Sequence, residues 1–168
     1  MPISSTSAIA GRVESLHLHP DDSDQPMVPV TEIEVIIDKG ILGNRRYFNR
    51  RSSSTGLPTK RQVSLIEREQ IAEHSATLGL ESIPPGVVRS NIETAGIALL
   101  PLLGRTVMIG EAVLRFEIPR DPCHKMDQIC DGLRHLMEDN RQGVLATVVT
   151  SGKIRVGDKI YLVTESPP

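Results

Sequence analysis

Aromatic side chains are nearly missing from this chain: it has no Trp, two Phe and two Tyr in 168 residues. The core must therefore be filled by Ile, Leu, Val and Met, and recognition of RNA by base stacking is disfavoured. Cysteine is equally scarce. Two residues are too few for a disulfide framework, so a reducing compartment is expected. Excess charge is lacking too. A net charge of -2 gives no whole-molecule attraction to nucleic acid or to an anionic membrane. No apolar run approaches the roughly 20 residues that span a bilayer. The first residues, from Met1 to Ser7, lack the charged-then-apolar pattern of a secretory signal. A cytoplasmic protein with no nucleic-acid or membrane partner is expected. There is no internal repeat and no linker, so residues 1–168 read as one domain.

Several segments carry strand patterns. Residues 8–19 and 28–38 do, the second rich in β-branched side chains. Segments 87–93, 106–109, 112–118, 144–150, 153–156 and 159–163 follow, with turns at Gly110-Glu111, Ser151-Gly152 and Gly157-Asp158. Ser64-Leu65-Ile66-Glu67 has the spacing of a capping box, which predicts a helix from there to about Leu78, closed by Gly79. A second helix is predicted over 126–138. There Met126, Ile129, Cys130, Leu133, Leu136 and Met137 recur at three- and four-residue steps. The expected fold is mainly β, a barrel-like core with a few peripheral helices.

The segment Arg120-Asp121-Pro122-Cys123-His124-Lys125-Met126 is the most informative one. It sets a thiol between a proline-stiffened strand exit and a helix start. Free N–H groups at a helix start favour an anion by about 0.3–1 kcal/mol. Arg120, His124 and Lys125 are the candidates to add to that field. Cys123 then reads either as a reactive thiol or as a packed loop cysteine. Cys130 falls on the apolar helix face and reads as a small packed hydrophobe. A Cys123–Cys130 disulfide is disfavoured in a reducing compartment.

A second feature is a cationic stretch. Between Asp38 and Glu67 there is no acidic residue, while Lys39, Arg45, Arg46, Arg50, Arg51, Lys60 and Arg61 all fall there. Arginine forks suit phosphate and carboxylate, so this belt is a candidate anion site, against a solvated loop as the plain alternative. The pair His17-x-His19 places two imidazoles on one side of a strand, but surface histidines beside a polar loop are commoner than metal ligands. The chain has no P-loop, no nucleophile elbow and no dinucleotide fingerprint.

In order, Gly40-Ile41-Leu42-Gly43-Asn44-Arg45-Arg46, Arg61-Gln62-Val63 and Pro85-Gly86 through Asn91-Ile92 form a series. Leu103-Gly104 through Gly110, Pro122-Cys123, Arg141-Gln142-Gly143-Val144 and Gly157-Asp158 complete it. This series resembles the MOSC domain, the C-terminal domain of molybdenum-cofactor sulfurases, over about residues 9–163. The resemblance implies a β-barrel-like MOSC fold. It also implies a role in binding a molybdopterin-type molybdenum cofactor or in carrying sulfur. It maps the family's proline-framed cysteine, a sulfur carrier or metal ligand, onto Cys123. The matching candidates for the pterin phosphate are Arg45, Arg46, Arg61, Arg89, Ser90 and Asn91, with Arg120 and Lys125 beside the cysteine. The first basic motif departs from the family in having Asn44 where many members have Asp. The pyridoxal-phosphate domain often fused to the family has no counterpart in these residues, so no lysine is expected to form a Schiff base. The implied activities are sulfurtransferase or molybdenum-dependent oxidoreductase, with a small-molecule cofactor or a sulfur-donor protein as partner. A non-catalytic anion- or partner-binding barrel is the alternative.

Overall fold

A computed structural model describes residues 5–45 and 47–164. In chain order the strands and helices are β1 (Ser5–Leu18), β2 (Val28–Val30), β3 (Glu32–Ile36), β4 (Gly40–Ile41), β5 (Val63–Glu67), α1 (Arg68–Thr77) and β6 (Ile92–Ala95). There follow β7 (Thr106–Ile109), β8 (Ala112–Pro119), α2 (Lys125–Ile129), α3 (Leu133–Met137), β9 (Val144–Thr150), β10 (Gly152–Arg155) and β11 (Lys159–Thr164).

Seven strands close on themselves in the order β11-β7-β8-β9-β5-β6-β1, with β1 returning to β11. The expected mainly β barrel with peripheral helices is what the chain forms. Closure depends on β1, which is long enough to serve three partners. One edge carries β6, from Arg12↔Ala95 to Leu16↔Ile92. The other edge carries β11 as far as Arg12↔Lys159 and then β2 from Leu16↔Val30 to Leu18↔Val28. Register shifts along β1 supply the bends that curve a sheet into a cylinder. Gly11 sits where the backbones crowd: a Cβ there would lie 2.7 Å from the Ala95 carbonyl oxygen.

Inside the barrel Leu16, Leu65, Ile92, Ile109, Leu114, Phe116, Val144 and Ile160 are buried together. A second apolar cluster, under the helices, joins Ile66, Ile71, Ile83, Val88, Met126, Leu133 and Met137. β5 belongs to both. Val63 and Leu65 face the barrel interior, and Ile66 faces the helical layer. This two-sided burial overrides the capping-box pattern. Ser64 lies within the strand, α1 starts four residues later, and its N-cap Glu67 makes no side-chain cap bond.

Three other elements differ from the sequence expectation. The run 28–38 divides at Thr31: β2 stays with β1, while β3 pairs with β10 and β4 in a separate three-stranded sheet. Pro29 lacks a donor, which suits β2 to an edge. The strand expected over 87–93 is only Ile92–Ala95, because Val88 packs under the helices and Arg89 takes a left-handed φ of 65°. The helix expected over 126–138 breaks into α2 and α3. Cys130 is extended (φ -161°) and Gly132 left-handed (φ 91°), so the apolar repeat is satisfied by two short helices instead of one.

Candidate functional site

β5 and β9 are antiparallel neighbours, and Ser64 stands directly opposite Leu145. Neither belongs to the barrel's interior cluster, whereas Val63, Leu65, Val144 and Ala146 do. The outer face of this strand pair is the floor of a small, solvent-open cleft. His19, Tyr47, Arg61, Ser64, Asn91, Arg120 and Leu145 line it.

A hydrogen-bonded hub fixes the floor. Asn91 Oδ1 accepts from the Ser64 amide at 3.1 Å and from the Ser64 hydroxyl at 3.0 Å. Asn91 Nδ2 donates to the His17 carbonyl at 3.1 Å and to Asn44 Oδ1 at 3.2 Å. Asn44 Oδ1 also accepts from the His19 amide at 2.7 Å. One buried asparagine thus joins β5, the end of β1 and the loop after β4. Asn44 Nδ2, fully buried behind it, has no hydrogen-bond partner. Leaving such a donor unmet costs about 1–3 kcal/mol.

The aromatic side of the cleft is a stack. The His19 and Tyr47 rings lie 4.6 Å apart at 59°, and the Arg61 guanidinium sits 5.8 Å from the Tyr47 centroid. The last distance is within cation–π range.

Arg120 forms the opposite, charged side. It follows β8 and extends the ladder by one residue, its amide donating to the Gly143 carbonyl at 3.0 Å. Its side chain is only 8% exposed, and Nη1 donates to the Ser90 hydroxyl at 3.1 Å. Among the described residues no carboxylate lies within ion-pair distance of it. Burial pushes this guanidinium down from its usual value to about 10. The positive charges of Arg61 and Arg89 act in the same direction, and Tyr47 and Cys123 act against it. At neutral pH Arg120 is still a cation, buried and lacking an acid.

Some of the other predicted site residues fall at or beside this cleft. Arg61 and Asn91 line it, Ser90 holds Arg120, and Arg89 and Cys123 are close enough to shape Arg120's electrostatics. Cys123 is exposed, and its carbonyl accepts from the Met126 amide. Helix α2 spans only five residues, so the helix field expected at the thiol is that of little more than one turn. Arg89 donates to the Gln25 carbonyl, Lys125 donates to the Ser23 carbonyl, and Arg45 pairs with Asp21 at 3.3 Å. None of these three lines the cleft. Arg46 lies outside the described residues. Cys130 is half-buried against the helical cluster, as expected of a packed thiol. His17 Nδ1 lies 2.9 Å from the Ser90 carbonyl, and no group of three or more potential metal ligands occurs among the described residues.

The family model of the MOSC domain matches residues 38–161. The chain belongs to the MOSC domain family. Members of that family are known for binding the molybdenum cofactor. Among solved structures, this MOSC domain is similar to the YuaD protein of Bacillus subtilis, at 18% identity and a TM-score of 0.78. That match covers 96% of this chain and 100% of the other. It is also similar to YiiM from Escherichia coli, at 18% identity and a TM-score of 0.65, covering 94% of this chain and 72% of that one. YiiM from Geobacillus stearothermophilus is similar at 17% identity and a TM-score of 0.62, with 93% and 74% covered. At these identities the likeness is one of fold. No curated protein matches the chain. No helix among the described residues is long and apolar enough to cross a membrane.

The sequence reading did not assign His19, Tyr47, Ser64 and Leu145 to the site of this MOSC domain. His19 was visible only as part of a weak metal pattern, and Tyr47 only as an aromatic in a basic loop. Ser64 was masked by its capping-box spacing. Leu145 carries no chemical signal at all.

Proposed function

We propose that the cleft of this MOSC domain binds a molybdopterin-type molybdenum cofactor through its phosphate, with Cys123 as the sulfur donor at its rim. The observation that carries the reading is Arg120: a buried guanidinium with a hydroxyl partner and, among the described residues, no acid. Burying an unpaired charge is costly unless a ligand of opposite charge completes it. A phosphate fits, because a guanidinium fork donates two parallel hydrogen bonds to its oxygens. Arg61 and Arg89 add positive charge from two further segments. The fully buried, unpartnered Asn44 Nδ2 is one more donor held ready near the floor. Cys123 offers a soft sulfur ligand, the type suited to a thiophilic metal. When bound, the cofactor would supply two-electron redox chemistry at molybdenum. The chain's own residues would bind it and orient it, Arg120 by its guanidinium fork and Arg61 by its charge.

The exposure of Cys123 favours a second reading on the same residue, that of a persulfide carrier. An exposed sulfur is within reach of a donor protein. The thiolate attacks the outer sulfur of the donor's persulfide. A new S–S bond forms on Cys123, the donor's S–S bond breaks, and the donor leaves as a thiolate, so the exchange is redox-neutral.

Protein made in a cofactor-producing host is expected to carry molybdenum and pterin in stoichiometric amounts, both reduced in Arg120→Met and the metal lost in Cys123→Ala. Metal-free protein that also ignores inorganic phosphate would sink the cofactor reading. Intact-mass analysis with a sulfur donor separates the second reading: one added sulfur, absent in Cys123→Ala, supports it, and loading on Cys130 rejects it.

A further inference from the structure

Segment 20–26 joins β1 to β2 and carries Asp21, Asp22 and Asp24 between two prolines. Its root is part of the cleft, since the preceding His19 lines it and is held by Asn44. Its far end is anchored by buried Met27. The segment is shaped from within by Asp22, which accepts from the Asp24 amide through Oδ1 and from the Gln25 amide through its carbonyl.

Three cations from three separate parts of the chain grip this acidic loop. Arg45, after β4, pairs with Asp21. Lys125, two residues beyond Cys123, donates to the Ser23 carbonyl. Arg89, whose charge acts on Arg120, donates to the Gln25 carbonyl at 2.9 Å. Arg120, in the cleft, has no acid among the described residues, while Arg89, whose charge acts on it, is engaged by the loop together with Arg45 and Lys125. The division is one of depth. The inner cation is committed to the cleft. The three outlying cations, none of which lines the cleft, are lent to a segment that offers carbonyl oxygens and a carboxylate, the same chemistry as an oxyanion. Arg45 and Asp21 are 67% and 76% exposed, so their pairing is weak and exchangeable.

We infer that loop 20–26 is an internal competitor for the site: a strap that holds Arg45, Arg89 and Lys125 and is released when a phosphoanion takes them. This rests on the anion-binding reading above. It makes Asp21, Asp22 and Asp24 determinants of affinity, although none of them lines the cleft. It also gives the site a selectivity rule. A ligand that reaches only Arg120 leaves the strap in place, and one with a larger anionic group displaces it.

The test uses the full chain and inorganic phosphate, read by calorimetry at low and high salt, in wild type, Arg120→Met and the triple variant Asp21→Asn, Asp22→Asn, Asp24→Asn. The triple variant is expected to bind phosphate about fivefold more tightly at low salt, with the gain fading at high salt. Amide exchange in 20–26 of the wild type is expected to speed up on phosphate saturation. Unchanged or weaker binding by the triple variant overturns the strap, and so does slower exchange with phosphate, which would make the loop a clamp. If phosphate binding is lost in Arg120→Met yet indifferent to the three aspartates, the strap alone falls. If wild type binds no phosphate, or Arg120→Met binds equally well, the anion reading falls and the strap with it.

Discussion

The two faces of the β5–β9 wall are made by alternate residues of the same two strands, and they are built on opposite terms. The inner face is hydrocarbon: Val63, Leu65, Val144 and Ala146 meet the rest of the barrel core. The outer face holds Ser64 and Leu145 beneath a hub of amides and a buried cation. Burial of the inner face stabilises by about 25 cal/mol per Å² of apolar surface removed from water. The outer face contains an unpaired guanidinium and an orphaned amide donor, both of which oppose folding. One side of the wall makes the fold, and the other carries the cost of buried polar groups.

The most damaging way to break this comparison is at the residue where the faces meet. Gly143 has φ 77°, its carbonyl orients Arg120, and a Cβ there would fall 2.0 Å from the Leu65 carbonyl oxygen. Gly143→Ala is expected to cost roughly 3–5 kcal/mol in chemical denaturation, through a backbone clash and a strained φ together. A loss below about 1 kcal/mol would mean that the strands move apart freely.

A smaller effect, of opposite sign, sharpens the contrast. Lowering Arg120 from its usual value to about 10 corresponds to a destabilisation on the order of a few kcal/mol at neutral pH. Arg120→Met forfeits the Ser90 bond, worth about 1 kcal/mol, so the ligand-free variant should be more stable by about 1–2 kcal/mol. The pH dependence has a definite direction. Above about pH 10 the unfolded chain holds this proton more tightly than the folded one, so wild-type stability rises with pH from there until the unfolded chain also loses it. The advantage of Arg120→Met should shrink over the same range. A variant less stable than wild type at pH 7 would show that the cation is already neutralised within the fold.

The smallest effect concerns Glu67, at the end of the same strand. Burial holds its carboxyl above the usual 4.5, outweighing the Leu99 amide that it accepts from, and Glu69 and Glu73 push the same way. The folded state therefore takes up this proton more readily than the unfolded one. Stability falls as pH rises from 4.5 through the raised value, and the penalty is constant above it. Glu67→Gln keeps the acceptor and is expected to gain a few tenths of a kcal/mol at pH 7, and nothing below pH 4.5, by thermal denaturation. Equal stability at both pH values would place the carboxylate in water.

Much of the barrel was legible because its hairpins announce themselves: β7 and β8 meet around Gly110-Glu111 as the turn chemistry requires. The elements misread were those whose local pattern lost to tertiary packing. Ser64 and Glu67 have capping-box spacing, yet a strand buried on both faces outcompetes a helix turn. The 126–138 repeat is periodic through Cys130, and only the left-handed Gly132 reveals the break. In the site, charged residues were legible and their allocation was not. Arg120 and Arg45 look alike in sequence, but one is sealed against Ser90 and the other faces solvent with Asp21. Which arginine is buried depends on contacts between segments up to 30 residues apart, which no local pattern encodes.

The barrel is zipped shut by β1 and β11, which lie at opposite ends of the described chain. During synthesis, then, the cylinder stays an open, unclosed sheet until nearly all of its residues have emerged. Until then β1 has only its other partners, and the edges that β11 will cover are available to neighbouring nascent chains. Topology of this kind makes folding slow and exposes it to mispairing, so yield in the cell should depend on how quickly the last strand arrives.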